Sequence, residues 1–131
     1  MTFPLPAVTA ETEAFWTGGA EGHLNIATCE DCDHRIHPPQ VICPKCLSRN
    51  VVAKPASGKG TIATFTINRQ PWAPGLAVPY AIGTIDLDDQ PGVRLIARII
   101  ADDVDQVKIG APVEVGFEQN ADVFVPVFKL V

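Results

Sequence analysis

Four regularly spaced cysteines are the residues of this sequence best suited to chemistry. They form two Cys-x2-Cys pairs, Cys29 with Cys32 and Cys43 with Cys46, separated by ten residues. Each pair offers two sulfurs on one tight turn, here called a knuckle, and two facing knuckles supply the tetrahedral ligand set that zinc prefers. Because four sulfurs leave no open coordination position, the spacing predicts one structural zinc per chain and no catalytic metal.

Other interpretations of the cysteines stay open at this level. Iron in the same tetrahedral sulfur site would make the chain a rubredoxin-like electron carrier. Two disulfides would be unusual in a chain expected to be cytoplasmic, where thiols stay reduced. His34 and His37 lie between the knuckles and could replace a missing ligand, but all four cysteines are present.

The segments around the knuckles predict how they are held. From residue 24 to residue 54 the pattern is a short strand, the two knuckles and a second short strand. An extended arm and a short helix precede it, with Thr9 as the helix cap and Gly18-Gly19 as its end. A Pro- and Gly-containing break follows at 55–60. We therefore expect three parts, at residues 1–22, 23–54 and 55–131.

The third part is predicted to be mainly β. Its β-rich runs are 61–69, 80–87, 93–100, 112–117 and 123–130, with a turn at 88–92 and a helical turn at 101–107. In the first run, strict alternation puts Ile62 on the face opposite Phe65 and Ile67. Five strands without a long helix fit a small closed barrel of the OB type, and a sandwich fragment is the competing topology.

Composition and charge argue against several classes of protein. The net charge is −5, so no nucleic-acid partner is expected, although zinc ribbons and OB-folds can both bind nucleic acid. No apolar stretch is long enough for a membrane span, and the first twenty residues lack the pattern of a signal peptide. The sequence offers no arrangement typical of a catalytic triad, phosphate loop or calcium loop. We expect a cytoplasmic chain that is not an enzyme by itself.

A series of short motifs resembles a known family. In chain order they are Phe15-Trp16, the two knuckles, Pro38-Pro39, Gly58-Lys-Gly60, Pro79-Tyr80, the run from Ile109-Gly110 to Gly116-Phe117, and Pro126-Val-Phe128. Together they resemble the acyl-CoA-associated zinc-ribbon/OB-fold family over roughly residues 12 to 128. The glycines that often follow each knuckle in that family are here Asp33 and Leu47, at positions that favour glycine for backbone reasons.

The resemblance implies both a fold and a function. The fold would be an N-terminal helix, a rubredoxin-like zinc ribbon and a five-stranded OB-fold barrel. The function would be that of a non-catalytic subunit that binds a thiolase, a thiolase-like aldolase or an acyltransferase and helps form its acyl-CoA site, in lipid metabolism or steroid degradation. An accessory subunit of a hotdog-fold enoyl-CoA hydratase is an alternative, and a nucleic-acid-binding protein is another.

Two groups of residues are predicted to serve this function. The predicted contacts to the CoA thioester are Arg69 before the loop at 70–78, Trp72 within it and Tyr80 after it. An arginine can pair with phosphate. Phe15 and Trp16 would anchor the partner enzyme, because aromatic residues are enriched at interface hot spots. The alternative for Phe15, Trp16 and Trp72 is ordinary packing within the chain.

Overall fold

The computed structural model describes residues 4–131, and the first part of the predicted arm, residues 1–3, lies outside this range. Residues 4–9 have no regular secondary structure, and helix α1 covers Glu13–Thr17. The predicted cap at Thr9 is not observed: Thr12 occupies the cap position of α1 without a side-chain cap hydrogen bond, and the Thr9 carbonyl instead accepts from the Glu13 N–H at 2.9 Å. The α-helix ends before Gly18 as expected, but a 3-10 helix over Gly18–Glu21 continues its path.

The 3-10 helix lies directly against the β-rich part of the chain. A Cβ added at Gly19 would collide with the side chains of Phe117 and Phe124. Gly22 then turns the chain with a left-handed φ of 75°, a conformation that glycine adopts without steric cost. The N-terminal helices are therefore packed onto the barrel described below.

A three-stranded antiparallel sheet carries the cysteines. Strand β1 is Asn25–Cys29, β2 is Arg35–Ile36 and β3 is Val51–Pro55, in the order β2-β1-β3. Its small buried cluster is Ala27, Cys29, Ile36 and Cys43. Two of these four residues are predicted metal ligands, so little apolar side chain stabilises this ribbon without them.

Five further strands close into a barrel. They are β4 Lys59–Asn68, β5 Tyr80–Leu87, β6 Arg94–Ile100, β7 Pro112–Asn120 and β8 Val123–Leu130. The order β4-β5-β6-β8-β7 closes because β7 also pairs with β4, and only the β6–β8 pairing is parallel. The mainly β prediction and the OB-type barrel are thus confirmed over the sandwich alternative. The expected helical turn at 101–107 is a short 3-10 helix over Val104–Gln106.

The predicted alternation in the first barrel strand is wrong at Ile62. The register between β4 and β5 shifts between Ile62 and Thr64, which is a β-bulge. The additional residue reverses the alternation, so Ile62 is buried on the same side on which Phe65 and Ile67 pack against the core.

One hydrophobic cluster joins the barrel to the N-terminal helix. It contains Phe15 of α1 together with barrel residues such as Ile85 and Phe128, both fully buried.

Among residues 4–131, the structure has no helix with the length and apolar character needed to cross a membrane.

Candidate metal centre and binding surfaces

The two knuckles have the same backbone geometry. The N–H of Asp33 donates to the carbonyl of Cys29 at 2.8 Å, and the N–H of Leu47 donates to the carbonyl of Cys43 at 2.9 Å. Asp33 and Leu47 have φ values of 62° and 65°, the left-handed conformation that usually favours glycine. The knuckle turns therefore form without the glycines, and these two residues adopt a backbone conformation that is rare for residues other than glycine.

The knuckles bring the four sulfurs into one cluster. All four Sγ atoms lie within 4.8 Å of one another, with 3.5 Å between Cys29 and Cys46 and 3.6 Å between Cys32 and Cys43. A tetrahedral zinc with Zn–S bonds of about 2.3 Å requires sulfurs about 3.8 Å apart. The four cysteines are thus positioned to bind a metal, and the donor set fits zinc.

The thiols of this cluster differ in acidity. Burial raises the pKa of Cys43, but the backbone N–H groups of Cys46 and Lys45 lower it more, to about 7. A backbone hydrogen bond of Ser48 lowers the pKa of Cys46, whereas the Cys29 sulfur and burial raise it, with the result of about 12. Because a metal binds thiolates, a protonated thiol must release its proton when the metal binds.

Polar residues outside the ligand set connect the two knuckles. The Asp31 carboxylate accepts hydrogen bonds from Ser48 Oγ and, at 3.0 Å, from Asn50 Nδ2. The Glu30 N–H also donates to the Asn50 carbonyl at 2.8 Å. We did not identify these residues from the sequence, since a solvent-exposed Asp, Ser or Asn has no pattern that distinguishes it from an ordinary loop residue.

The two histidines between the knuckles have other partners. His34 Nδ1 lies 3.2 Å from the side-chain nitrogen of Gln90. The His37 ring packs against Phe15 with 5.0 Å between ring centroids, and burial lowers the pKa of His37. Neither belongs to the cluster of four potential metal ligands found among the described residues.

The structure separates the two predicted anchor residues. Phe15 is only 7% exposed and belongs to the hydrophobic core. Trp16 is partly buried, packs against the same core and meets the Phe15 ring edge-on, with centroids 4.8 Å apart. Of the two side chains, Trp16 is therefore the one with surface available to another molecule.

The structure brings together two of the three residues predicted to contact CoA. Asn68 Oδ1 accepts from the Trp72 indole N–H at 3.1 Å, and Asn68 Nδ2 donates to the Tyr80 hydroxyl. Trp72 is 77% exposed. The Arg69 side chain is 64% exposed and points instead to Asp105, with 3.5 Å between the charged atoms. We missed Asn68, which joins the two aromatic residues, because its role depends on how the loop at 70–78 folds back.

A cavity of about 840 Å³ lies where the N-terminal segment, the ribbon and the barrel meet. Its walls include Leu5, Trp16, Pro38, Tyr80 and Ile96. Most of the lining is apolar, which is typical of sites that bind ligands or partner side chains. Arg69 and Trp72 do not line it. The sequence did not predict this cavity, because its walls come from segments that are far apart along the chain.

Two family models match the chain. The ChsH2 rubredoxin-like zinc ribbon domain matches residues 16–52, and the ChsH2 C-terminal OB-fold domain matches residues 53–118.

Curated relatives carry names of subunits and scaffolds. The chain is 30% identical over 128 residues to a probable enoyl-CoA hydratase alpha subunit of Thermomonospora curvata, covering 96% of this chain and 39% of the relative. It is 34% identical over 110 residues to the 3-oxo-4,17-pregnadiene-20-carboxyl-CoA hydratase alpha subunit of Mycobacterium tuberculosis, covering 82% and 34%. It is 35% identical over 107 residues to a DUF35 domain-containing scaffold protein of Pyrococcus furiosus, covering 79% and 76%. The chain thus spans well under half the length of the two hydratase subunits.

A solved structure resembles almost the whole chain. A chain of the Ltp2-ChsH2(DUF35) aldolase superposes with a TM-score of 0.84 and 27% identity, covering 96% of this chain and 98% of that one. With both family models matching in the same order as the ribbon and the barrel, the chain belongs to the ChsH2/DUF35 family of zinc-ribbon and OB-fold proteins.

Proposed function

We propose that this chain is a non-catalytic accessory subunit that binds a thiolase-superfamily enzyme and helps form or stabilise the acyl-CoA site of that enzyme. The observation that carries the proposal is the similarity, over nearly the full length of both chains, to a chain of the Ltp2-ChsH2(DUF35) aldolase. A relative named as a scaffold protein supports the same role. In this proposal the complex works in the cytoplasm on acyl-CoA thioesters, and the substrate name of the mycobacterial relative suggests steroid degradation.

The proposed role of the metal is structural. We assign zinc to the four cysteines, because the sulfur positions fit its tetrahedron and the matching family domain is a rubredoxin-like zinc ribbon. All four positions around the ion would be filled by this chain. The metal would therefore hold the ribbon in shape and would not bind substrate.

The exposed loop side chains are our proposed contact for the CoA portion of the substrate. The ion pair between Arg69 and Asp105 is solvent-exposed, and such pairs contribute little, about 0–1 kcal/mol. A phosphate group can therefore displace the Asp105 carboxylate and take two hydrogen bonds from the guanidinium. Trp72 and Tyr80, both bonded to Asn68, would add apolar contact area nearby.

The partner would dock around the cavity beside Trp16. This residue and Tyr80 both line it, so a single partner segment seated there would contact the N-terminal helix and the barrel together. An aromatic side chain at the centre of an apolar depression is a common interface hot spot.

A second candidate is an accessory subunit of an enoyl-CoA hydratase. Two curated relatives are named as hydratase alpha subunits, one of them as that of an enoyl-CoA hydratase, which is the observation that favours it. Both candidates predict an inactive isolated chain, and they differ in the enzyme that is bound.

Affinity purification from the native host distinguishes these candidates. A tagged chain should recover a thiolase-superfamily enzyme in stoichiometric amount, identified by mass spectrometry, and the isolated chain should not turn over acyl-CoA substrates. Trp16→Ala should lose the enzyme while the fold and metal content stay unchanged. The matched control is Trp72→Ala, which changes an exposed tryptophan that does not line the cavity and should retain the enzyme. Recovery of a hydratase alone, or robust turnover by the isolated chain, would contradict the proposal.

A further inference from the structure

The side chain of Gln90 joins the barrel to the ribbon. Gln90 lies in the turn between β5 and β6, yet its Oε1 accepts from the Arg35 N–H at 2.7 Å and its Nε2 donates to the Arg35 carbonyl at 3.0 Å. The same Nε2 lies 3.2 Å from His34 Nδ1. A glutamine amide carries both a donor and an acceptor, so it can pair with the N–H and the C=O of one residue as a neighbouring strand would.

This pairing occurs at an edge of the ribbon sheet. Strand β2 pairs with β1 on one side only, so its other side would leave the backbone groups of Arg35 without a strand partner. Gln90 occupies that position. The barrel thus supplies the missing partner of the ribbon sheet with one side chain.

Charged side chains strengthen the same junction. Asp89 accepts from the Ser57 N–H at 2.9 Å and from Ser57 Oγ at 2.8 Å, which ties the turn to the segment between ribbon and barrel. Asp89 also lies 3.8 Å from the Arg35 guanidinium, and the two side chains are only 14% and 19% exposed. A junction of partly buried polar groups depends on all its partners, because losing one leaves others without hydrogen bonds.

The first knuckle reaches this junction within a few residues. The Cys29 N–H donates to the carbonyl of His34 at 2.9 Å, and His34 directly precedes Arg35. The segment from Cys32 to Arg35 therefore joins one sulfur of the cluster to the two residues that Gln90 contacts. When the metal fixes the sulfurs, it also fixes the edge of β2 against which the turn packs.

We propose that Gln90 couples the metal centre to the barrel, so that loading the ribbon with metal stabilises the β5–β6 hairpin and the hairpin in turn stabilises the loaded ribbon. Coupling between two sites is reciprocal in free energy, so both effects must disappear together when the connection is removed. The inference goes beyond the proposed accessory role and does not depend on which enzyme the chain binds. It assigns to Gln90 a positioning role between two parts of the fold.

Hydrogen exchange at the hairpin tests this coupling. The N–H of Leu87 donates to the Val93 carbonyl at 3.0 Å and the N–H of Val93 donates to the Gln90 carbonyl at 3.3 Å, so these two amides report on the hairpin. In the zinc-loaded wild-type chain, chelation should accelerate their exchange about tenfold, which corresponds to about 0.7 kcal/mol for each of the two hydrogen bonds between Gln90 and Arg35. Amides of the β7–β8 hairpin, whose strands do not pair with the turn, should change less than about twofold.

Variants at Gln90 should remove most of this response. In Gln90→Ala the acceleration of both amides on chelation should fall to about twofold, the part carried by the contact between Asp89 and Arg35, and zinc should pass to a chelator about tenfold faster than from the wild-type chain. Gln90→Glu keeps an acceptor for the Arg35 N–H but loses both donor contacts, and it provides the same comparison if the alanine variant does not fold. Gln106→Ala is the matched control, because it removes an exposed glutamine side chain from a region outside this junction.

Two results would overturn the proposal. One is a wild-type hairpin whose exchange does not respond to chelation, or responds no more than the β7–β8 hairpin. The other is a folded Gln90 variant with the same response to chelation and the same rate of zinc loss as the wild-type chain and Gln106→Ala.

Discussion

Replacing Cys43 with serine removes one of the four sulfurs and should unfold the ribbon while the barrel stays largely folded. A structural zinc contributes about 10–16 kcal/mol to folding in small zinc domains. The apolar residues buried in the ribbon cluster besides its cysteines are Ala27 and Ile36, whose burial contributes only about 3 kcal/mol together. Around the knuckles, apolar burial cannot replace the metal. The larger cluster of the barrel, which includes Ile85 and also Ile26 of β1, does not depend on the metal and should keep the barrel strands in place.

The Cys43→Ser variant is best examined by metal analysis together with limited proteolysis. We expect less than one zinc per chain and rapid cleavage within the ribbon up to the end of β3, with a protected fragment that begins near residue 55. Val41→Ser is a matched control, since Val41 is exposed in the same loop and is not a ligand, and it should keep both its zinc and its resistance to protease. Unchanged zinc content and an unchanged cleavage pattern in Cys43→Ser would refute the reasoning.

Three further predictions concern the thiols, the aromatic pair and the CoA contact. The pKa is about 12 for Cys46 and about 7 for Cys43, so zinc binding at pH 7 should release about 1.5 protons or more from these two thiols. The affinity for zinc should therefore rise with pH. Calorimetry in buffers of different ionisation enthalpy counts the released protons, and a count below one would contradict this. Phe15→Ala should lower the free energy of unfolding by about 3–5 kcal/mol and Trp16→Ala by clearly less, as measured by urea denaturation; equal losses would show that both residues belong to the core. Arg69→Ala should raise KM for CoA thioesters in the assembled complex without weakening assembly, and normal kinetics would remove the proposed contact but leave a scaffolding role.

The cluster of four cysteines could be predicted from the sequence because its members are local. Cys29 and Cys32 lie on one turn, as do Cys43 and Cys46, so spacing alone indicates the ligand set. The structure adds that Asp33 adopts the left-handed backbone expected of a glycine. The predicted boundaries between the three parts of the chain stay predictions.

The barrel could be predicted in outline but not in register. The β-rich runs and the turn at 88–92 were evident from alternation and turn residues, and the closed order of strands confirms the predicted class. The bulge that puts Ile62 beside Phe65 depends on how β4 pairs with β5, which no local pattern in β4 records. The predicted helix cap differs from the structure for a similar reason. Thr9 and Thr12 are both residue types that favour a cap, and only the backbone conformation shows that the helix begins after Thr12.

Contacts between segments that are far apart along the chain could not be predicted from the sequence. Gln90 and Arg35 are 55 residues apart, and a glutamine in a hairpin turn is ordinarily a solvent-exposed residue. The cavity beside Trp16 is formed by segments from both ends of the chain. Such sites depend on how folded helices and strands pack together, whereas patterns in a single sequence describe each helix or strand separately.

The claim that this chain is an accessory subunit is tested most directly by co-expression with the thiolase-superfamily enzyme recovered from its own host. Size-exclusion chromatography with light scattering measures the mass of the assembly, and the same fractions are assayed with acyl-CoA thioesters. We predict one hetero-oligomer that elutes ahead of either component and has higher turnover or solubility than the enzyme alone, while this chain alone is inactive. Separate elution of the two proteins, with activity of the enzyme unchanged by the chain, would contradict the account.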